Sequence, residues 1–400
     1  MSTDTTLRPT PKAPPRKAAV NLRQYGLLAA LVMIVALFQF LTNGRLLLPG
    51  NVNNLIQQNA YVLILAIGMV IVIIAGHIDL SVGSVVAMVG AVTAIAMNNW
   101  GLPWWAAVIL GLLLGAVIGA WQGFWIAFVE IPAFIVTLAG MLLFRGLTLV
   151  LLTGGTISGL PAPFTAIGAG WLPPVFGELA KRDTLTLLIG IVASAALVLQ
   201  LLRTRKTLQR LDLPREPLPS FSIKAAGAVV GIMALTWLLA GYNGTPIILV
   251  ILAALILAYT FVLNRTVFGR HIYAMGGNLF AAEMSGVKTK WVNFLIFVNI
   301  GVLSGLAGVV STARAGGAVA SAGQNYELDA IAAVFIGGAA VQGGIGTVVG
   351  AVIGGLVMGV LNMGLSILSV DAAWQMAIKG LVLLLAVAFH IFNKRRSGGR

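Results

Sequence analysis

The sequence predicts an all-α, polytopic transmembrane helical bundle of about twelve spans, and three observations carry that reading. First, 59% of the 400 residues are hydrophobic, 9% are charged, and the mean hydropathy is +1.00. A soluble domain carries about 25% charged residues, and no soluble fold hides this much apolar surface. Second, apolar runs near the roughly 20 residues that a bilayer requires recur from end to end. Third, Lys and Arg cluster in a few connecting segments, where the positive-inside rule places them.

Taken in order, residues 1–24 are Pro-rich and basic with no apolar period, which predicts a disordered cytoplasmic tail. Spans follow at 25–42, 58–75, 79–98, 104–129, 133–152, 184–202, 223–241, 246–263, 291–313, 328–343, 345–366 and 372–392. The least regular places are His77–Ser81 and Gly343–Gly346, where broken or re-entrant elements compete with full crossings. With the N-terminus inside, the cytoplasmic segments 1–24, 203–224, 264–290 and 393–400 hold 5, 6, 4 and 4 Lys/Arg, 19 of the 25 in the chain. Four lie outside and two, Arg145 and Lys379, fall within spans. That asymmetry predicts both termini in the cytoplasm. Residues 25–392 then form one membrane domain, followed by a basic tail at 393–400.

The net charge of +14 belongs to these loops and excludes a nucleic-acid partner as its explanation. The absence of cysteine excludes disulfides and thiolate metal sites. No G-x-x-x-x-G-K-[ST], H-E-x-x-H or G-x-S-x-G occurs, so no catalytic residue, cofactor or metal is assigned.

Glycine is periodic. Gly111, Gly115 and Gly119, Gly301 and Gly305, Gly346, Gly350 and Gly354, and Gly355 and Gly359 form small-xxx-small stripes. In lipid such stripes bring helix backbones close together, so these spans face other helices.

Polar residues inside spans are costly. In "AGHIDLSVGS" (75–84), Asp79 and Ser81 read either as an N-cap for the next helix or as a helix start facing a water-filled path. Gln324, Asn325, Glu327 and Asp329 cluster before another apolar run. Glu327 and Asp329 read as favourable charges at a helix start or as groups facing a sugar or a partner. Glu130 reads as a loop residue before a helix that starts with Pro132.

The segment 264–290 contains "YAMGGNLFAAEMSGVKTKW" and is too patterned for a tether. Leu279 to Gly286 fits a short helix, with Asn278 as N-cap, Gly286 as a left-handed C-cap, and Gly276-Gly277 as the turn before it. Such a helix either lies on the membrane surface or docks into another protein.

At this point a resemblance becomes specific. "TVFGRHIYAMGGNLFAAEMSGVK" (266–288) resembles the cytoplasmic loop of ABC-type sugar importer permeases of the ribose/xylose class. "GHIDLSVGS" (76–84), "IPAFIVTLAGMLLFRGL" (131–147) and "ELDAIAAVFIGGAAVQGGIGTVVGAVIG" (327–354) resemble further blocks of that class, in order along residues 25–396. The chain is most similar to the xylose-type branch. It shares a long insertion near 156–245, which adds two spans to ten core spans. His77 departs from that branch, which has an acidic residue there.

The resemblance implies an inner-membrane permease for a monosaccharide, D-xylose or a related pentose. It implies a second permease copy, cytoplasmic ABC ATPase subunits that hold ATP and Mg, and a periplasmic sugar-binding protein. Residues 264–290 would couple to the ATPase through Gly276, Gly277, Asn278, Ala281, Ala282, Glu283 and Gly286. An ion-coupled secondary sugar transporter is the competing class. Such carriers show inverted repeats and mid-membrane carboxylates, for which Asp79 is the candidate here.

Overall fold

A computed structural model describes residues 22–153, 155–211, 213 and 216–397. Most of the predicted basic tail, residues 1–21, and the last residues 398–400 lie outside the described residues.

The chain runs α1 (Leu22–Leu41), α2 (Pro49–Ile74), α3 (Val82–Asn98), α4 (Trp104–Ala127), α5 (Ala133–Leu152), β1 (Thr156–Ser158) and α6 (Ala162–Ala169). It continues with β2 (Glu178–Leu179), β3 (Arg182–Asp183), α7 (Thr184–Arg210), α8 (Leu218–Ala240), α9 (Ile247–Arg265), α10 (Val267–Gly277) and α11 (Leu279–Met284). It ends with α12 (Thr289–Ala315), β4 (Gly317–Val319), α13 (Tyr326–Ile336), α14 (Val348–Ile367) and α15 (Ala372–Ser397). Proline begins or caps α2, α4, α5, α6, α8 and α9. Its fixed φ and missing N–H cost nothing where the first amides have no intrahelical partner.

The protein is a mostly helical polytopic membrane protein. Among the described residues, α2, α4, α5, α7, α8, α9, α12 and α14 are long and apolar enough to cross a membrane, and α1, α3 and α15 carry shorter apolar stretches. The expected span at 328–343 is different. Its helix, α13, stops after 11 residues, about 16 Å at 1.5 Å per residue, half a hydrocarbon core. Turns with left-handed Gly338, Gly343 and Gly344 then lead to α14. Two short antiparallel ribbons, β1 with β4 and β2 with β3, modify the all-α expectation. The charged stretch between the expected spans 184–202 and 223–241 is mostly helix, because α7 runs on to Arg210 and α8 starts at Leu218.

α2 is the axis of the bundle, with 89% of its most apolar window buried. α12, α13, α14 and α9 surround it. The predicted glycine stripes supply the closest seam. A Cβ on Gly115 would meet the Gly301 carbonyl and Gly305, and one on Gly119 would meet the Phe297 carbonyl. The backbones of α4 and α12 therefore touch, gaining dispersion contacts that lipid cannot offer. By contrast, α7 and α8 form a peripheral hairpin, each with only 17% of its window buried.

Candidate functional site

Two places gather the predicted residues, one at an end of the bundle and one in its interior.

At the end, Thr266 caps α10 by accepting a hydrogen bond from Gly269 N at 3.2 Å. Asn278, at φ −160°, breaks the helix and caps α11, its Oδ1 accepting from Ala281 N at 3.0 Å. Gly286 has φ +83°. Its N–H bonds Glu283 O at 2.9 Å, while Val287 N bonds Ala282 O at 3.1 Å. That pair of bonds is a Schellman ending, which a left-handed glycine permits. Gly276 and Gly277 are not a turn but the last residues of α10. Gly276 is there because a Cβ would strike the Ile74 carbonyl and Gly344 N. Tyr273 ties the same element down, donating its hydroxyl to Gly346 O at 2.7 Å. Burial raises the pKa of that hydroxyl.

The orientation of α11 corrects part of the sequence reading. Ala282 is 4% exposed and faces the protein. Glu283 turns to accept a hydrogen bond from Thr289 Oγ1 at 3.0 Å. The outward face is instead Leu279, Phe280 and Met284, 50%, 70% and 71% exposed, beside exposed Ala281. Sequence reasoning missed these three. The signal was there: large apolar side chains on a six-residue helix too short to bury them. Next to α11 lies an open cleft of about 650 Å³, lined by His77, Glu130, Leu279, Glu283, Lys290 and Asn293 among others. Glu130, at φ +65°, pairs with Lys290 at 2.6 Å. The hydrogen bond and charge of that ammonium lower the Glu130 carboxyl below its usual range.

In the interior, Asp79 does not cap α3. Its Oδ1 accepts from Ser81 N at 2.8 Å and Ser81 Oγ at 2.7 Å, a turn closed one residue before the helix. Gln122 of α4 then donates to Ser81 Oγ at 2.7 Å. The start of α3 abuts the start of α13, where a Cβ on Gly83 would meet the Glu327 carboxylate and Gly323 O. Arg145 is held by the Ala322 carbonyl at 2.6 Å. Thus Asp79 and Ser81 lie in a closed hydrogen-bonded cluster, 1% exposed each.

Gln324 and Asn325 lie apart from that cluster. They line a cavity of about 180 Å³ between α13 and α15, together with Tyr61, Asp329 and Lys379. Lys379 Nζ stands 3.2 Å from Asp329 Oδ1. Tyr61 donates to Asp329 Oδ2 at 3.2 Å and stacks on Tyr326 with ring centroids 3.6 Å apart. The acidic start of α13 therefore splits, with Asp329 facing Lys379 and Glu327 facing Gly83. Tyr61, midway along α2, was missed by sequence reasoning; its signal was a hydroxyl at the head of an apolar run, shortly after the polar Gln57, Gln58 and Asn59.

With this geometry in hand, the likeness to known proteins is specific. The family model described as branched-chain amino acid transport system / permease component matches residues 51–387. A xylose transport system permease protein from Haemophilus influenzae is 41% identical over 378 residues, 94% of this chain and 98% of its own. One from Escherichia coli K12 is 41% identical over 387 residues, 95% and 94% of the two chains. A ribose import permease protein from Bacillus subtilis is 36% identical over 359 residues, 89% and 88%. No solved structure matches the chain.

Proposed function

The chain belongs to the branched-chain amino acid transport system / permease component family, and on that premise we propose that it carries D-xylose or a related pentose inward as the permease of an ATP-driven importer. It is a multi-pass inner-membrane transport subunit and not itself an enzyme. The observation that carries the substrate is the 41% identity to xylose permeases along nearly the whole of both chains.

In this reading residues 25–392 are the permease domain, with an insertion near 156–245, flanked by basic cytoplasmic tails at 1–24 and 393–400. About twelve membrane segments leave both termini inside. The loop contacts support that sorting. Glu130–Lys290 and Tyr273–Gly346 join segments expected inside, whereas Asn98–Ser158 and the β1–β4 ribbon join segments expected outside.

An ABC import system supplies ATPase and binding-protein partners, and a second permease copy completes the pore. ATP and Mg bind the ATPase and no cofactor binds this chain. The segment 264–290 couples the two. Asn278 and Gly286 fix the shape of α11, Gly276 seats α10 against α2 with Gly277 leading into α11, Ala282 holds the inner face, Glu283 ties the helix to Thr289, and Ala281 with Leu279, Phe280 and Met284 enters the ATPase. A short helix bearing exposed apolar anchors suits a groove. Gln324 and Asn325 face the sugar path, with Asp79 and Ser81 bracing its wall.

Reconstituted vesicles test the reading. Uptake of D-xylose should require the ATPase partner, the binding protein and ATP, and should survive an ionophore that collapses ion gradients. Uptake by this chain alone on a proton gradient would establish the secondary-transporter class instead.

A further inference from the structure

Resting on the importer reading, we propose that the cavity between α13 and α15 is a monosaccharide subsite within the permease itself. Its chemistry selects a neutral, polyhydroxylated ligand. Asp329 and Lys379 neutralise each other at 3.2 Å, so the cavity offers no net charge, and an anion or cation would meet one repelling partner. A sugar hydroxyl both donates and accepts, and can therefore use the carboxylate and the ammonium together. The Gln324 amide adds a donor and an acceptor around the same space, and the Asn325 amide oxygen and the Tyr61 hydroxyl oxygen add acceptors, their N–H and O–H being given to Met376 and Asp329.

The remaining wall is apolar, formed by Leu328, Ala332, Met358 and Leu383, and suits the C–H face of a sugar ring. A cavity meant only for water would gain nothing from that wall. The volume of about 180 Å³ holds about six water molecules at about 30 Å³ each. That is the scale of one monosaccharide ring. Backbone strain marks the same place, since Asn325 sits at φ +63° at the head of α13. The depth also fits. Tyr61 stands at the head of the apolar part of α2 and Gln324 and Asn325 at the head of α13, so the subsite lies at the outer end of the membrane domain, where a sugar handed over by a binding protein arrives first.

The test uses the complete importer in vesicles, with D-xylose as the probe and two variants, Gln324→Leu and Ala332→Leu. Both place apolar bulk at the cavity and leave α11 untouched. ATP hydrolysis stimulated by the binding protein is measured alongside uptake, so that delivery can be expressed per ATP. D-xylose delivered per ATP should fall about tenfold, as for losing one or two neutral hydrogen bonds. Saturation-transfer NMR on the detergent-solubilised permease should show D-xylose contact in the wild type and lose it in both variants. Should Ala332→Leu fail to assemble, exposed Gln324 decides alone. Wild-type delivery per ATP in a folded Gln324→Leu importer would overturn the subsite. Absence of ATP-driven xylose uptake in the wild type would overturn the importer reading beneath it, so the two failures are distinct.

Discussion

α11 and α13 are both too short to cross a bilayer, yet they spend their short length in opposite ways. α11 is six residues held at each end by a backbone device, Asn278 in front and Gly286 behind. It exposes Leu279, Phe280 and Met284 and buries only Ala282. α13 is eleven residues with Asp329, Ala330, Ile331, Ala332, Ala333 and Val334 all buried. It is as long as half a hydrocarbon core and carries a buried ion pair. The difference teaches which forces govern each helix. α11 depends on local caps and gives its side chains to something outside the chain. α13 depends on tertiary partners, and its Asp329 is tolerable only because Tyr61 of α2 and Lys379 of α15 satisfy it.

The sharpest way to break the comparison is on the α13 side. Lys379→Met leaves Asp329 buried without its charge partner, with only the Tyr61 hydroxyl left, and should destabilise by about 3–5 kcal/mol, read as loss of detergent-stable protein and a lower melting temperature. Adding Asp329→Asn to it should recover part of that loss, because the coupled pair is removed together. If the single variant melts like the wild type, α13 does not depend on the pair.

The next effect is on the α11 side and should be invisible to stability. Phe280→Asp should leave melting unchanged, since the side chain is 70% exposed. It should weaken ATPase association by about 2 kcal/mol or more, as expected for an aromatic anchor. Pull-down of the ATPase and ATP-driven uptake measure this. Lower thermal stability without loss of association would assign Phe280 to packing.

Gly286→Val is smaller. A β-branched residue at φ +83° costs about 1–2 kcal/mol, which the chain relieves by shifting α11. Sugar-stimulated ATP hydrolysis and uptake should fall together while expression holds. Asn278→Ala should be smallest, about 1 kcal/mol of local helix stability, seen as faster amide exchange across 279–284 with little change elsewhere. Equal exchange in both proteins would mean that the cap is dispensable.

Much of α11 was legible in the sequence, because its causes are local. Asn278 and Gly286 announce a cap and a left-handed ending within nine residues, and the structure has both. The seam of Gly111, Gly115 and Gly119 with Gly301 and Gly305 was legible for a similar reason, since a period of four needs no tertiary knowledge. The interior was harder. The run 328–343 is apolar enough to pass for a span, and only the turns at Gly338, Gly343 and Gly344 show that the helix stops halfway. The partner of Lys379 lies 50 residues away, beyond any local pattern. The side of α11 that Ala282 occupies was also hidden, because six residues are too few for a periodicity to emerge.

The place of α2 at the axis of the bundle has a consequence for how the chain is made. Gly68 of α2 lies against Ile300 and Leu303 of α12, and Leu63 against Gly355 of α14. Those partners are synthesised more than two hundred residues after α2. At roughly 5–20 residues per second, the most enclosed helix waits roughly ten seconds to a minute before its neighbours exist. During that interval its apolar surface is covered by lipid or by the insertion machinery. A ribosome that stalls before α12 therefore leaves a membrane-inserted fragment whose centre is formed and whose surroundings are missing, and that fragment is a natural substrate for membrane proteolysis.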